Sequence, residues 1–343
     1  MREDLSLMSD TSRRRGARRP LGLLLLGDLL LTLALLALFF FFKLLLPALT
    51  APTLAPAPTP TPEPTPAPTL LATPEPTPDP RTPWQIRFAE HFTPVPVQTE
   101  TRYTSPSTSI EIHTFTKELE GRTAVCHIAD IYLARPEQFA SYTANNELKY
   151  FSVQPVGEMD LAADALLSIS GDCYSYQNFA LLVRNGVVYK SDHAWEDVCV
   201  LWPDGRMETL AHGDYEVEDL LAQGPAQVWC FGPSLLDGEG HVKPSYPSTA
   251  AVGYPNPRSA IGYYEPGHYC FVVVDGRQSG YSDGMLLGEL AQLFEELGCA
   301  AAYNLDGGGT AVMYFNHQPF SRQSNGADRQ IGDILVIREA YEP

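Results

Sequence analysis

The chain has 343 residues, of which 41 are acidic and 23 are basic, so its formal net charge is −18. Residues 84–343 carry most of this excess, with 34 of the acidic and 15 of the basic residues. Nucleic acid and anionic membrane surfaces repel such an acidic surface, so we expect no nucleic-acid partner.

The first 46 residues have the composition of a membrane anchor. Five arginines between positions 13 and 19 precede an apolar run from Leu21 to Leu46. About 20 apolar residues are enough to cross a bilayer, and basic flanks stay in the cytoplasm. We therefore predict a cytoplasmic tail over 1–20, a transmembrane helix over 21–46, and a single-pass protein of the cell membrane. A cleaved signal peptide is the alternative, although its apolar region normally has about 7–15 residues.

Residues 47–83 are a proline-rich linker. Proline alternates there with threonine, alanine and glutamate, a composition that buries no core and favours an extended polyproline spacer. At about 3.1 Å per residue, this stalk would hold a following domain on the order of 100 Å from the membrane.

The remaining residues, 84–343, are enough for one domain with many short strands. Apolar segments alternate and are joined by turn sequences such as Asn185-Gly186, a strong hairpin signal. Short helices are predicted over 135–145 and 216–223. This order of elements predicts an α+β domain, built on a β-rich mixed sheet with a few helices.

One longer helix interrupts the strands between Ser282 and Gly298. Its leucines and Phe294 fall on one helical stripe. Ser282 or Asp283 is the predicted N-terminal cap, and Gly298 is the predicted end.

All six cysteines lie in the predicted domain, and none forms a CxxC pair. A zinc knuckle is therefore unsupported. Because an extracytoplasmic compartment permits disulfides, we predict at least one bond among the six, while free buried thiols remain the alternative.

A glycine-rich segment near the C-terminus, Asn304-Leu-Asp-Gly-Gly-Gly-Thr310, joins two apolar strands. Asp306 stands at the end of the first strand, and Gly307 to Gly309 allow the main chain to approach a ligand closely. Successive backbone N–H groups of such a loop can also surround an anion.

Three other segments place polar residues at strand ends. Asp275-Gly276-Arg277 and Ser279-Gly280 lie between a buried strand and the long helix, where backbone N–H groups and an arginine favour an anion. Arg258 begins a strand, and Asp172 follows another. Taken singly, each has an ordinary explanation as a turn or a solvated charge.

In chain order, these segments resemble the phosphodiester glycosidase family. The resemblance rests on "GDCYSY", "FGPSLLDGEG", "NPRSAIGYYEPG", "VVVDGRQSGYSDGMLLGELAQLFEELG", "NLDGGGTAVMYFN" and "DRQIGDILVI", and it covers about residues 109–338. Two positions depart from the family pattern: Ser170 stands where the family often has asparagine, and Thr310 where it usually has serine.

The resemblance implies a fold whose motifs gather at one pocket that cleaves a sugar-1-phosphodiester in glycan or polysaccharide metabolism. Arginines would hold the phosphate, and carboxylates would act on the sugar and on water, with acid and base left unassigned. The candidate catalytic residues are Asp306, Asp275 and Asp172. The candidate substrate-binding residues are Arg258, Arg277, Ser279, Gly280, Gly276, Gly307, Gly308 and Thr310.

No cofactor is predicted. A divalent metal on the aspartates stays open, although no cluster of histidine and cysteine supports it. The alternative function is a non-catalytic cell-surface protein that binds glycan or exopolysaccharide in the same pocket. The predicted partners are thus a sugar-phosphodiester or glycan, and the membrane through one N-terminal helix.

The topology can be tested on intact cells. Protease added outside should release a fragment that contains Trp84 to Pro343, because the stalk is extended and exposed. Immunoblotting of the supernatant measures the release. A domain protected until the cells are lysed would contradict the predicted orientation.

Overall fold

The computed structural model describes residues 79–176, 180–194, 196–246 and 253–340. The predicted cytoplasmic tail, the transmembrane helix and nearly all of the proline-rich linker lie outside these residues. Within them, no helix has both the length and the apolar character needed to cross a membrane.

The described chain contains four α-helices and nineteen strands. The helices are α1 (Pro83–Arg87), α2 (Val156–Ala162), α3 (Val217–Ala222) and α4 (Leu287–Glu296). The strands of the first half are β1 (Val97–Gln98), β2 (Arg102–Thr104), β3 (Thr108–Leu119), β4 (Arg122–Leu133), β5 (Phe139–Thr143), β6 (Gln154–Pro155), β7 (Leu167–Ser170), β8 (Leu181–Arg184), β9 (Val187–Ser191) and β10 (Val198–Leu201). Those of the second half are β11 (Met207–Leu210), β12 (Gln227–Trp229), β13 (Arg258–Glu265), β14 (His268–Val274), β15 (Ala301–Asn304), β16 (Met313–Phe315), β17 (Gln318–Pro319), β18 (Gln330–Ile331) and β19 (Asp333–Ile337).

Three larger sheets organise the strands, and the α+β prediction is confirmed. Their strand orders are β1-β2-β3-β4-β14-β13-β15, β11-β10-β12-β8-β9 and β17-β16-β7-β19-β5, and β18 pairs with β6 in a small fourth sheet. The prediction of a mixed sheet is wrong in detail, because the strand pairs of the described residues are antiparallel. Short turns reverse the chain between consecutive strands such as β3 and β4, and the remaining antiparallel pairs join strands that are distant in the chain.

The three sheets share one core and cover their other faces separately. Ile131, Trp229 and Leu335, one from each sheet, belong to the same buried cluster. The other face of the seven-stranded sheet packs against α4, and α3 and α2 cover the two five-stranded sheets. This arrangement follows from burying one apolar face of every element.

The long helix begins later than the sequence predicts. Leu286, rather than Ser282 or Asp283, is the N-terminal cap residue of α4, whereas Gly298 lies just past its end with φ 78° as predicted. Ser282 Oγ and Asp283 Oδ2 instead accept hydrogen bonds from backbone N–H groups of β4, at Val125 and Thr123. These side chains therefore fasten a loop to the sheet and are unavailable for capping.

Of the two shorter predicted helices, one is present. α3 lies within the predicted segment 216–223, but residues 135–145 form a 3-10 turn at Pro136–Gln138, then β5, and then the start of a second 3-10 turn at Ala144–Asn146. β5 pairs with β19 along its whole length, and this tertiary pairing outweighs the local helical pattern.

The N-terminal helix α1 starts at the edge of the predicted linker. Thr82 caps it by accepting from the Gln85 backbone N–H, and the Gln85 side chain accepts from the Thr82 N–H. Thr82 also donates to the carbonyl of Ala134 at 2.8 Å, so this linker residue is bound to the domain.

The disulfide prediction is wrong in this structure, because all six cysteines are free. Cys270 and Cys299 come nearest, with their sulfurs 3.8 Å apart in the buried cluster beneath α4. Gly262 makes room for both: a Cβ there would lie 2.7 Å from the Cys270 sulfur and 2.8 Å from the Cys299 sulfur.

Gly262→Ala should therefore destabilise the domain. The added methyl overpacks the space between two thiols and Phe294, and such changes cost about 1–3 kcal/mol of the free energy of unfolding. Gly238→Ala is the matched control, since a Cβ at this exposed glycine meets nothing within 4 Å. Chemical denaturation measures both variants, and equal stabilities would contradict the packing argument.

Candidate active site

Strand ends from different parts of the chain meet at one edge of the sheets. The antiparallel register pairs Arg258, at the start of β13, with Val274, at the end of β14. It also places Asn304, at the end of β15, beside Ala260, and Ser170, at the end of β7, beside Ile334. The loops that follow these ends therefore lie close together.

A cavity of about 240 Å³ opens at this edge. Its lining combines arginines, a glycine loop, one carboxylate and two apolar side chains. The lining residues are Phe231, Asn256, Arg258, Arg277, Leu305, Asp306, Gly307, Gly308, Gly309 and Arg329.

Close approach explains the consecutive glycines. A Cβ at Gly307 would lie 2.7 Å from the carbonyl oxygen of Pro257, and one at Gly308 would lie 2.9 Å from the guanidinium of Arg277. Gly308 also has φ 64°, a left-handed conformation that favours glycine. The bare backbone after Asp306 thus lets an arginine lie directly against it.

Two predicted arginines line the cavity side by side. Arg277 donates from Nε and Nη2 to the Asn256 side-chain oxygen, at 3.0 and 2.8 Å. Arg258 is buried and donates to the carbonyls of Met285 and Tyr254. Burial and the neighbouring charge of Arg277 lower the pKa of Arg258 to about 10. The cavity thus concentrates positive charge in an acidic protein.

Asp306 is the carboxylate on the cavity wall. Its partial burial raises its pKa to about 7, although the Thr310 hydroxyl and the Arg329 charge act in the opposite direction. Asp172 and Asp333 add to the increase. A carboxyl group that titrates near neutral pH can both accept and donate a proton there.

Asp275, a predicted catalytic residue, does not line this cavity. Its Oδ2 lies 3.1 Å from His127 Nε2 and accepts from the Tyr281 hydroxyl at 2.9 Å. Its Oδ1 accepts from the Arg322 backbone N–H at 3.0 Å, and the residue is 1% exposed. In this structure Asp275 joins a strand end to the loop around Arg322.

Asp172, the third predicted carboxylate, also lies outside the cavity lining and is fully buried. Its Oδ2 accepts from Arg184 Nη2 and from the Cys230 backbone N–H, both at 2.9 Å. The structure therefore brings together Asp306, Arg258 and Arg277 at the cavity, and it places Asp172 and Asp275 outside the cavity lining.

The other predicted binding residues divide in the same way. Gly307 and Gly308 line the cavity, whereas Ser279 and Gly280 occupy an exposed turn and do not. Gly276 is buried against Pro257. Thr310 is buried, and its hydroxyl donates to the Gly307 carbonyl at 2.7 Å and supports the loop.

Apart from one glycine, four cavity residues were not among the predicted site residues. Phe231 follows β12, Asn256 orients Arg277, Leu305 follows β15, and Arg329 precedes β18. All four belong to segments that carry the family resemblance, so those segments held the signal. No group of three or more His, Cys, Asp or Glu side chains arranged to hold a metal ion occurs in the described part of the chain.

Comparisons with known proteins identify relatives of this domain. A family model described as phosphodiester glycosidase matches residues 163–338, just over half of the chain. The SPbeta prophage-derived uncharacterized protein YomE of Bacillus subtilis (strain 168) is 30% identical over 167 residues, which make up 46% of this chain and only 25% of that protein.

A solved structure shares the fold. It is the catalytic domain of zebrafish N-acetylglucosamine-1-phosphodiester alpha-N-acetylglucosaminidase, auto-inhibited by its pro-peptide. The two match with a TM-score of 0.55 and 19% sequence identity, over 71% of this chain and 87% of the zebrafish chain.

The buried charge of Asp306 predicts a pH-dependent stability. Between its ordinary pKa of 3.8 and about 7, the folded chain holds a proton that the unfolded chain has released, so stability falls as the pH rises through this range. Asp306→Asn removes this loss. At pH 8 the variant should be more stable than wild type by on the order of 2–4 kcal/mol, and at pH 4 the two should be similar.

Denaturation curves at the two pH values measure the difference. Asp214→Asn, at an exposed position, is the control and should change neither value appreciably. If Asp306→Asn were no more stable than wild type at pH 8, burial of the ionised Asp306 carboxylate would not destabilise the fold as the structure indicates.

Proposed function

Because the chain belongs to the phosphodiester glycosidase family, we propose that its domain hydrolyses the bond between the anomeric carbon of a sugar and a phosphodiester. The observation that carries this proposal is the cavity in which Asp306 lies among Arg258, Arg277 and Arg329. The name of the zebrafish relative states a substrate of the same class, which supports the proposal.

In our proposal, the arginines of the cavity bind the phosphate group. A phosphodiester carries one negative charge, and it gains a second when the bond to the sugar breaks and a phosphomonoester leaves. Guanidinium groups can hold phosphate oxygens through paired hydrogen bonds, and positive charge placed beforehand stabilises the charge that develops. Asn256 keeps Arg277 in place for this contact.

In our proposal, Asp306 is the base that activates the attacking water. The second pKa of a phosphomonoester is about 6, so the leaving group needs no proton at neutral pH. A water molecule that attacks the anomeric carbon must lose one, and in our proposal the ionised Asp306 accepts it. The bonding electrons of the broken bond pass to the phosphate oxygen. The same negative charge stabilises an oxocarbenium-like sugar.

The apolar lining residues and the volume of the cavity limit the type and size of the substrate. Phe231 and Leu305 offer a surface for the apolar face of a sugar ring. A volume of about 240 Å³ is below the range of about 300–1,000 Å³ that is typical of drug-sized ligands. We infer that the cavity receives one terminal sugar with its phosphate.

We further propose that this hydrolase is anchored in the cell membrane and works on glycan outside the cytoplasm. The support is the basic N-terminal segment, the apolar run over 21–46 and the proline-rich linker.

A panel of sugar-1-phosphodiesters tests the activity. Purified full-length protein should release the free sugar and a phosphomonoester. Asp306→Asn keeps the size of the side chain but cannot accept the proton, so kcat should fall by about 100-fold or more with little change in KM. Arg277→Ala removes a phosphate contact, and kcat/KM should fall by about 30–1,000-fold, which corresponds to about 2–4 kcal/mol.

Matched controls and the pH profile sharpen the test. Arg102→Ala and Asp214→Asn change exposed residues outside the cavity and should leave kcat and KM unchanged. Because the ionised form is active, kcat/KM of wild type should rise with pH through about 7. If wild type cleaved nothing but bound glycan, and neither cavity variant altered binding, the enzyme proposal would fail and a glycan-binding function would replace it.

A further inference from the structure

A buried charge network lies behind the cavity and outside its lining. Arg184 is 1% exposed, and Asp172 and Asp333 are completely buried. Arg184 Nη2 donates to Asp172 Oδ2 at 2.9 Å, and Arg184 Nε donates to Asp333 Oδ2 at 2.7 Å. The Asp172 backbone N–H closes the ring by donating to Asp333 Oδ1 at 2.7 Å.

The network is connected to the backbone of Asp306. The Gly171 N–H donates to the Asp333 carbonyl at 3.1 Å, and the Asp306 N–H donates to the Gly171 carbonyl at 2.9 Å. The Ser170 hydroxyl donates to the Asp306 carbonyl at 3.0 Å. A Cβ on Gly171 would lie 2.5 Å from Asp333 Oδ1, so this position is tightly enclosed.

The network also reaches a second segment of the cavity lining. Asp172 Oδ2 accepts from the Cys230 backbone N–H, and the next residue is Phe231. The segments that carry two lining residues, Asp306 and Phe231, are thus both hydrogen-bonded to residues 171 and 172.

The charges of the network do not cancel. One guanidinium faces two carboxylates, which leaves an excess negative charge when both are ionised. Burial opposes the charge of Arg184, but the two carboxylates outweigh it and raise the pKa of Arg184 further. Burial raises the pKa of Asp333 to about 6 against the effect of Arg184.

We propose that Arg184, Asp172 and Asp333 form a positioning network that fixes Asp306 at the cavity and keeps an excess negative charge beside it. These residues act through Asp306 and do not touch the substrate, so this inference rests on the proposed function. It assigns Asp172 a role different from that of a catalytic carboxylate.

Charged and polar groups from several elements face Asp306. Asp172 and Asp333 oppose its ionisation, whereas Arg329 and the Thr310 hydroxyl favour it. Arg277 lies against the neighbouring Gly308, and Arg258 lines the same cavity. Burial raises the pKa of the Cys173 thiol, and the charge of Asp306 adds to the increase. Burial is the main cause that raises the pKa of Asp306, and the excess charge of the network adds to it, against the effect of the Thr310 hydroxyl and Arg329.

Asp172→Asn is the informative substitution because the geometry tolerates it. Asp172 Oδ1 is buried and has no hydrogen-bond partner among the described residues, whereas Oδ2 accepts both bonds. An amide oxygen at the Oδ2 position keeps both bonds, and the amide nitrogen takes the unpartnered position. The variant removes one charge, and with it the ion pair to Arg184, but keeps both hydrogen bonds.

The expected result is a shift in the titration of Asp306. In full-length protein with ¹³C-carboxyl-labelled aspartate, identified by the signal lost in Asp306→Asn, the Asp306 midpoint should fall by on the order of one pH unit in Asp172→Asn. The acid limb of kcat/KM should move by the same amount, with kcat on the plateau nearly unchanged. Asp214→Asn should move neither.

Asp333→Asn provides the contrast. Both Asp333 oxygens accept from donors, so an amide nitrogen must face either Arg184 or the Asp172 N–H, and the melting temperature should fall. Ser170→Ala removes only the hydroxyl that holds the Asp306 carbonyl, and it should lower kcat with little change in KM or in the melting temperature.

The outcomes separate this inference from the proposed function. An unchanged Asp306 midpoint in Asp172→Asn would overturn the electrostatic role. Loss of turnover at every pH in that variant, with an unchanged midpoint, would make Asp172 catalytic instead. If wild type cleaved no phosphodiester, the proposed function would fail, but the carboxyl titration would still decide the role of the network. Should Asp172→Asn not fold, a wild-type Asp306 midpoint near 4 would overturn the inference by itself.

Discussion

The charge of Asp306 is the constraint around which this end of the domain is arranged. A carboxylate with little access to water is costly unless cations or hydrogen bonds support it. Here Arg329 and the Thr310 hydroxyl support it, while Asp172 and Asp333 act against it. The balance leaves the pKa near 7 rather than far above or below it. The glycines that follow Asp306 belong to the same arrangement, because only bare backbone lets Arg277 lie so close.

The sheets make this arrangement possible. Antiparallel registers bring the start of β13, the end of β14 and the end of β15 to one edge, and the β7–β19 pair brings Ser170 to it from another sheet. The shared core between the sheets keeps these ends at fixed separations. A cavity formed this way takes its residues from segments up to about 100 positions apart in the chain.

Acidic residues at neighbouring strand ends differ in what surrounds them. Asp275 has both oxygens occupied by His127, Tyr281 and the Arg322 backbone, and Asp172 is paired with a buried arginine. Asp306 alone of the three faces the cavity. All three follow a buried strand in the sequence, so the local sequence pattern does not distinguish them. The distinction depends on partners that are distant in the chain, such as Arg184 and Asp333.

Local patterns in the sequence were sufficient for the elements that depend on local chemistry. Asn185-Gly186 marked the turn between β8 and β9, and the leucine stripe marked α4, because turn geometry and helical periodicity involve neighbouring residues. The family resemblance marked the segments that line the cavity. Tertiary structure alone decided that strands distant in the chain also pair antiparallel, that Phe139–Thr143 form β5 rather than part of a helix, and that the thiols stay free. It also decided which carboxylate faces the cavity, because burial and charge pairing are set by residues that approach only when the sheets pack together.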